Sequence, residues 1–279
     1  MNWSQVTAMP WMLWRRQVAA IMRLELKKSL FSKRAWWIYI LTLGPVLITA
    51  LHSILDRGGH KLAEDYMIYA GIFQVYYLRL GIFFGCVGIF SNLFRAEVLE
   101  RTLHYYFMSP VRREVLAVSK YVAGLFAAVV FFAGSAALSF VCIGMHWGPV
   151  LQEYLFRGPG MAQLGWYTLT AALACVGYGA VFLLTGLVFR NPMIPAAVVM
   201  VWENLNPFLP SLLKKFSIIF YLKSLCPVQI PAEGPLAIIA VAAEPTPAWL
   251  AIPGLLILSA LVLAYAAKQA HKLEVSYSE

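Results

Sequence analysis

Six apolar runs, each long enough to cross a bilayer, constrain this chain more than anything else in it. They fall at about 35–55, 66–90, 119–144, 165–189, 193–212 and 247–268. A spanning helix needs about 20 mostly apolar residues, each rising about 1.5 Å. In lipid no water is at hand for backbone N–H and C=O groups, so a spanning segment must be a helix or part of a closed barrel. None of the six runs alternates polar and apolar residues as barrel strands do. The fold class that follows is all-α, a polytopic membrane protein of six transmembrane helices forming one domain over 1–279. Composition agrees. The chain is 61% hydrophobic and 13% charged, whereas soluble domains are about 45–50% apolar.

The net charge is +9. In a soluble protein that suggests nucleic acid; here the positive-inside rule explains it, and no nucleic-acid partner is expected. With the N-terminus in the cytosol, the inner side holds 1–34, 91–120, Arg190 and the tail after Ala267, carrying 15 of the 22 Lys and Arg. The outer side holds six, and Arg79 lies inside a span. Both termini are therefore expected in the cytosol. Lys214, Lys215 and Lys223, after the fifth run, go against the bias. The first apolar run follows a 34-residue polar and amphipathic stretch without a cleavage signature, so no secretory signal peptide is expected.

Two further segments read as helices that do not span. Residues 10–32 place Trp11, Trp14, Val18, Ile21 and Met22 on one stripe and Arg16, Arg23 and Lys27 opposite, as in a helix lying in the membrane interface. Glu25 falls on the apolar stripe, where a carboxylate is costly unless paired. Either the helix lifts off the membrane there, or Glu25 pairs with a basic residue of 91–120. Residues 213–246 are apolar but broken by Pro227, Pro231, Pro235 and Pro245. Such pieces suit re-entrant or interfacial helices in an outer segment.

The chemistry-bearing motifs of common enzymes do not occur. There is no GxxxxGK[ST] phosphate loop, HExxH, GxSxG or dinucleotide fingerprint, so ATP binding of the P-loop kind is excluded. Four scattered cysteines and the outer histidines His52, His60 and His146 have no metal-ligand spacing. No enzymatic activity, metal or cofactor is expected of this chain. Two ionisable residues lie within apolar runs, Arg79 near the middle of the second and Glu203 near the middle of the fifth, with Asn204 beside it. Charges at that depth are expensive and are paired or face water. Opposite signs at similar depth suggest an Arg79–Glu203 pair. The alternatives are separate polar pockets, or a short fifth span with Glu203 at its outer end.

Between the second and third runs, Ser91–Lys120 carries eight charged residues. Ala96 to Met108 forms an amphipathic helix in this reading, with Leu99, Leu103, Tyr106 and Phe107 on one side and Glu97, Glu100, Arg101 and His104 on the other. Ser109-Pro110 breaks it. A cytosolic helix of this kind docks into a partner's groove or lies on the membrane; its own physics does not choose.

The pattern Glu97, then Arg101-Thr102-Leu103, then Met108-Ser109-Pro110-Val111-x-Arg113-Glu114-x-Leu116, with Lys120 following, resembles the permease subunits of ABC-2 type transporters. Arg23 to Trp37 is similar to the first helix of that family, with Glu25 at its usual acidic position. Arg101 departs from the pattern, standing where many members have Gly. The resemblance implies a permease subunit of an ATP-driven exporter in a bacterial inner membrane, with a separate ABC ATPase binding ATP and Mg. It implies that 96–110 is the coupling helix, contacting the ATPase through Glu97, Glu100, Arg101, Thr102, Leu103, Tyr106, Ser109, Pro110 and Arg113. The interfacial helix would lie against it through Arg23 and Glu25. A second permease copy or a homologue would complete a pathway in which Arg79, Glu203 and Asn204 are the polar groups. Short outer loops favour a cargo drawn from membrane lipid or another amphiphile. The rival readings are an intramembrane enzyme or assembly factor built on Arg79 and Glu203, and a non-transporting sensor subunit.

Overall fold

A computed structural model of the chain describes residues 11–31, 36–55, 61–99, 113–230 and 246–271. The centre of the expected coupling helix and the 231–245 part of the expected outer segment lie outside them. Among the described residues every regular element is helical. The helices are α1 (Trp11–Phe31), α2 (Trp36–Leu55), α3, α4 (Arg113–Ile143), α5 (Pro149–Phe156), α6 (Gly160–Val188), α7 (Met193–Leu205), α8 (Ser211–Lys214), α9 (Ile218–Leu225) and α10 (Ala248–His271). α3 is α-helical over Leu62–Gly71, π-helical over Ile72–Gly81 and α-helical again over Ile82–Leu99.

Five of these meet the length and apolarity needed to cross a membrane: Trp36–Leu55, Leu62–Arg95, Val115–Trp147, Gly160–Val188 and Ala248–Ala270. The protein is therefore an integral membrane protein. The expected span at 193–212 is not among them. α7 has 13 residues, about 20 Å at 1.5 Å per residue, against a hydrocarbon core of about 30 Å. It ends in a 3-10 turn at Asn206–Phe208, where Pro207 and Pro210 supply no backbone N–H to continue the ladder.

α6 is the centre of the bundle and packs against α3, α4 and α10. Small residues let the backbones approach. A Cβ at Gly186 would sit 2.6 Å from the Ser91 carbonyl oxygen of α3. One at Gly88 of α3 would sit 1.7 Å from the Trp37 ring of α2.

α2 is tied in by its own defect. Pro45 has no N–H, so the Leu41 carbonyl one turn earlier loses its helical partner. The Tyr76 hydroxyl, from the π-helical stretch of α3, donates to that carbonyl at 2.9 Å. Next to it the Tyr77 hydroxyl bonds Ser135 and Ser139 of α4 at 2.7 and 2.8 Å, and Ser135 in turn donates to the Thr42 carbonyl of α2. A π-helical stretch is a common mark of a functional segment; here it brings two tyrosines and Arg79 to the middle of α3.

α9 reaches the middle of α6. Gly177 of α6 faces Ile218 at the start of α9, and a Cβ there would be 3.0 Å from it. α9 also packs on α10 and on the π-helical stretch of α3.

Candidate functional site

On the side of the bundle where α3 ends and α4 begins, one lysine joins three helices. Lys120 is fully buried. Its Nζ donates to Glu25 Oε1 at 2.5 Å and to the Leu93 carbonyl at 2.9 Å. The ammonium also stands 5.4 Å from the centroid of the Phe94 ring, within reach of a cation–π attraction. α1, α3 and α4 thus meet at one charge. Glu25 is buried although it lies on a helix rich in Arg and Lys, because Ile21 and Glu25, one turn apart, both turn toward the bundle. Of the two readings open for Glu25, the geometry shows the paired one. Arg23 is exposed.

Glu97 lies in the last turn of α3 and Arg113 opens α4, but their side chains are outside the described residues. So are Glu100, Arg101, Thr102, Leu103, Tyr106, Ser109 and Pro110 entirely. What is described is the frame on either side. The connection 100–112 leaves α3 six residues after Leu93 and enters α4 seven residues before Lys120.

A second polar group lies midway along the bundle. Glu203 of α7 is 7% exposed. Its Oε1 accepts the Ile218 N–H at 3.0 Å, and its Oε2 accepts the Ile219 N–H at 2.8 Å and the Ser217 hydroxyl at 2.8 Å. The Tyr178 hydroxyl points at the same oxygen from 3.5 Å. Glu203 therefore caps α9 from another helix. The first N–H groups of a helix have no partner of their own, and the helix dipole favours a negative charge there.

The suggested Arg79–Glu203 ion pair is not formed. The carboxylate is spent on α9, and Arg79 donates to Asn204 Oδ1 instead, at 3.4 Å. Arg79, Phe83, Tyr178, Glu203 and Asn204 still line one narrow crevice.

A sequence model of the family described as "ABC-2 family transporter protein" matches residues 21–206, more than half of the chain. The chain belongs to the ABC-2 transporter family. A search of curated proteins found no match. An ABC-2 permease is the membrane component of a transporter and associates with an ABC ATPase. The matched range opens at Ile21, within α1, and includes Lys120, Arg79 and Glu203.

This permease has a third polar cluster, at the far end of the bundle, which sequence reasoning missed. Asp65, in the first turn of α3, is fully buried. Its Oδ1 accepts from His52 Nε2 at 3.2 Å. Its Oδ2 accepts from the Trp147 indole at 2.7 Å and faces His146 Nε2 at 3.4 Å. Ser53 Oγ bonds His146 Nδ1 at 3.2 Å and accepts the His146 backbone N–H at 3.0 Å. Two histidines thus converge on a carboxylate from the first turn of another helix. The signal available in the sequence was Asp65 lying four residues before Tyr69 on the apolar face of α3. Among the described residues no group of three His, Cys, Asp or Glu has the geometry to hold a metal.

Proposed function

We propose that this permease forms, with a second copy or a homologue, the translocation pathway of an ATP-driven exporter in a bacterial inner membrane, with both termini in the cytosol. A separate ABC ATPase binds ATP and Mg and supplies the work; this chain carries no cofactor and is not itself an enzyme. The segment 96–110 is the coupling helix that docks on the ATPase through Glu97, Glu100, Arg101, Thr102, Leu103, Tyr106, Ser109, Pro110 and Arg113. The outer end of the pathway is built from 213–246 and α7, a short sixth crossing completed by the elements after it.

The observation that carries the reading is the buried Lys120. Any push on 96–110 acts on the end of α3 and the start of α4. Lys120 bonds the α3 backbone at Leu93 and the α1 carboxylate of Glu25, so the three helices move together. α3 runs on to Arg79, fourteen residues beyond Leu93 and about 20 Å away at 1.5 Å per residue. A rotation at the cytosolic end is thereby delivered to the middle of the membrane.

The enzyme reading expects the ionisable groups to gather round one cavity. Asp65 with its two histidines and Arg79 with Glu203 form two separate groups, fourteen residues apart along α3. That favours the permease.

The test is co-expression of the tagged chain with an ABC ATPase encoded beside it, followed by capture in detergent. The wild type should retain the ATPase and raise its turnover. Glu97→Lys combined with Arg101→Glu should lose both. A wild type that retains no ATPase sinks the exporter reading, and an undiminished complex in the double variant sinks the coupling assignment.

A further inference from the structure

Among the described residues, Arg79 and Lys223 have no carboxylate in ion-pair contact. Arg79 sits halfway along the 34-residue span Leu62–Arg95, and its one hydrogen bond among the described residues is the long contact with Asn204. Lys223 of α9 is half-buried, and its ammonium makes no ion pair among the described residues. The nearby carboxylate, Glu203, is already committed to the Ile218 and Ile219 N–H groups and the Ser217 hydroxyl. Ile219 of α9 lines the crevice with Arg79, and Lys223 follows one turn further along α9; burial first, and then the charge of Arg79, lower the pKa of Lys223 to about 8. Lys223 lies outside the five spanning helices. The groups acting on it are Arg79 of α3 and the Cys226 thiol just beyond α9.

Positive charge held at such depth without a counter-charge is costly and marks a place where an anion arrives. The surroundings say what kind. Val75 and Leu80, within one turn of Arg79 on α3, are exposed, and so are Val201 and Leu205, which follow the crevice-lining Met200 and Asn204 on α7. They offer an apolar wall to a chain, while the crevice behind Arg79 has room for about one water and no more. A free inorganic anion gains nothing from that wall; a head group with an alkyl chain gains from both.

We infer that Arg79 and Lys223 form the head-group site for an anionic amphiphile, whose chain lies along Val75, Leu80, Val201 and Leu205. This rests on the permease reading and narrows its cargo to amphiphiles with a phosphate, sulfonate or carboxylate head. Asn204 positions the Arg79 guanidinium, and Glu203 holds the start of α9 and with it the placement of Lys223.

The test uses the full chain in dodecyl maltoside micelles and radiolabelled decane-1-sulfonate, whose charge is constant between pH 6 and 10. Equilibrium dialysis against protein-free micelles reads specific binding. One saturable site per chain is expected, not competed by inorganic sulfate or by decyl maltoside. Arg79→Gln and Lys223→Gln should each weaken binding about tenfold, the scale of one charge-assisted hydrogen bond. Lys223→Arg should retain it. Raising the pH from 7 to 9 takes Lys223 through about 8 and discharges it, so the wild type should weaken while Lys223→Arg does not. Thermal unfolding of Lys223→Arg and Lys223→Gln at equal midpoints separates lost charge from lost fold.

The inference is overturned by a wild type without saturable binding, by undiminished binding in both Gln variants, or by sulfate competing as well as the sulfonate. It is also overturned if Arg79→Gln abolishes association between copies while sulfonate binding persists, since the cations would then serve a contact between chains. No ATPase is present in this assay. Failed ATPase capture with intact sulfonate binding removes the exporter reading and leaves the anion site standing, and the reverse result removes this inference alone.

Discussion

Replacing Lys120 by Met tests whether one charge holds α1, α3 and α4 together. The side chains of Lys120 and Glu25 are 0% and 5% exposed, and their contact is 2.5 Å. Methionine keeps the length and loses the ammonium. Glu25 is then a buried carboxylate with no cation in contact, and the Leu93 carbonyl loses a donor. Removing one partner of a buried pair costs about 3–5 kcal/mol. Polar contacts deep in a bilayer average only about 0.6 kcal/mol, because the unfolded chain in lipid finds other partners. The larger figure applies here. Lys120 is seven residues into α4, and Glu25 belongs to a helix outside the spans, so both groups reach water on unfolding. Lys120→Met should therefore lose about 3–5 kcal/mol. Adding Glu25→Met should recover most of it, since replacing both partners by apolar groups of similar volume is often nearly neutral. The assay is equilibrium unfolding of the purified chain in mixed micelles with rising SDS, run as a double-mutant cycle. Wild-type stability in Lys120→Met, or a double variant no more stable than the worse single one, refutes the argument. With the ATPase present, the double variant should refold yet stay poor at stimulating turnover, because the tie between the helices is gone.

Gly186→Ala should cost about 1–3 kcal/mol, as overpacking does, because its Cβ would meet the Ser91 carbonyl at 2.6 Å. Gly134→Ala has nothing within 4 Å and should be neutral or stabilising in the same thermal unfolding assay. Glu203→Gln should cost about 1–3 kcal/mol, since an amide oxygen cannot serve all the donors the carboxylate serves and leaves one unpaired. The charge reversal Arg79→Glu with Glu203→Arg should show no rescue over the single variants in that assay; rescue would restore the direct pair. Tyr76→Phe should cost about 1 kcal/mol through its lost hydrogen bond. That cost should shrink in a Pro45→Ala background, where an N–H at 45 can satisfy Leu41, and an unchanged cost would refute the link between the proline and the tyrosine.

Much of the architecture is legible in the sequence because lipid leaves a chain few choices. Five of the apolar runs correspond to helices long enough to cross. The run at 193–212 yields only the 13-residue α7, too short to cross alone, because hydropathy counts apolar residues and does not register that Asn206 and Pro207 stop the helix after Leu205. The polar sites were legible to different degrees. Glu25 stood out by conflicting with its own helix face, and that conflict called for a partner without naming Lys120, 95 residues away. Arg79 and Glu203 stood out by depth, but charge complementarity pointed to the wrong partner. The groups that hold Glu203 are backbone N–H groups, which every sequence contains. Asp65 went unremarked because its partners come from two other elements, at 52 and at 146–147.

By itself the sequence determined a membrane-embedded, all-helical ABC-2 permease. That much follows from apolar length and a motif, both properties of contiguous residues. Only the tertiary structure decided where the charges end their bonds. Lys120 is fastened to Glu25, Glu203 to the start of α9, and Asp65 to two histidines, while Arg79 is left at the edge of a crevice with only Asn204 to bond among the described residues. The reason is physical: the energy of a buried charge depends on which groups surround it in space, and those arrive from helices that only packing brings together.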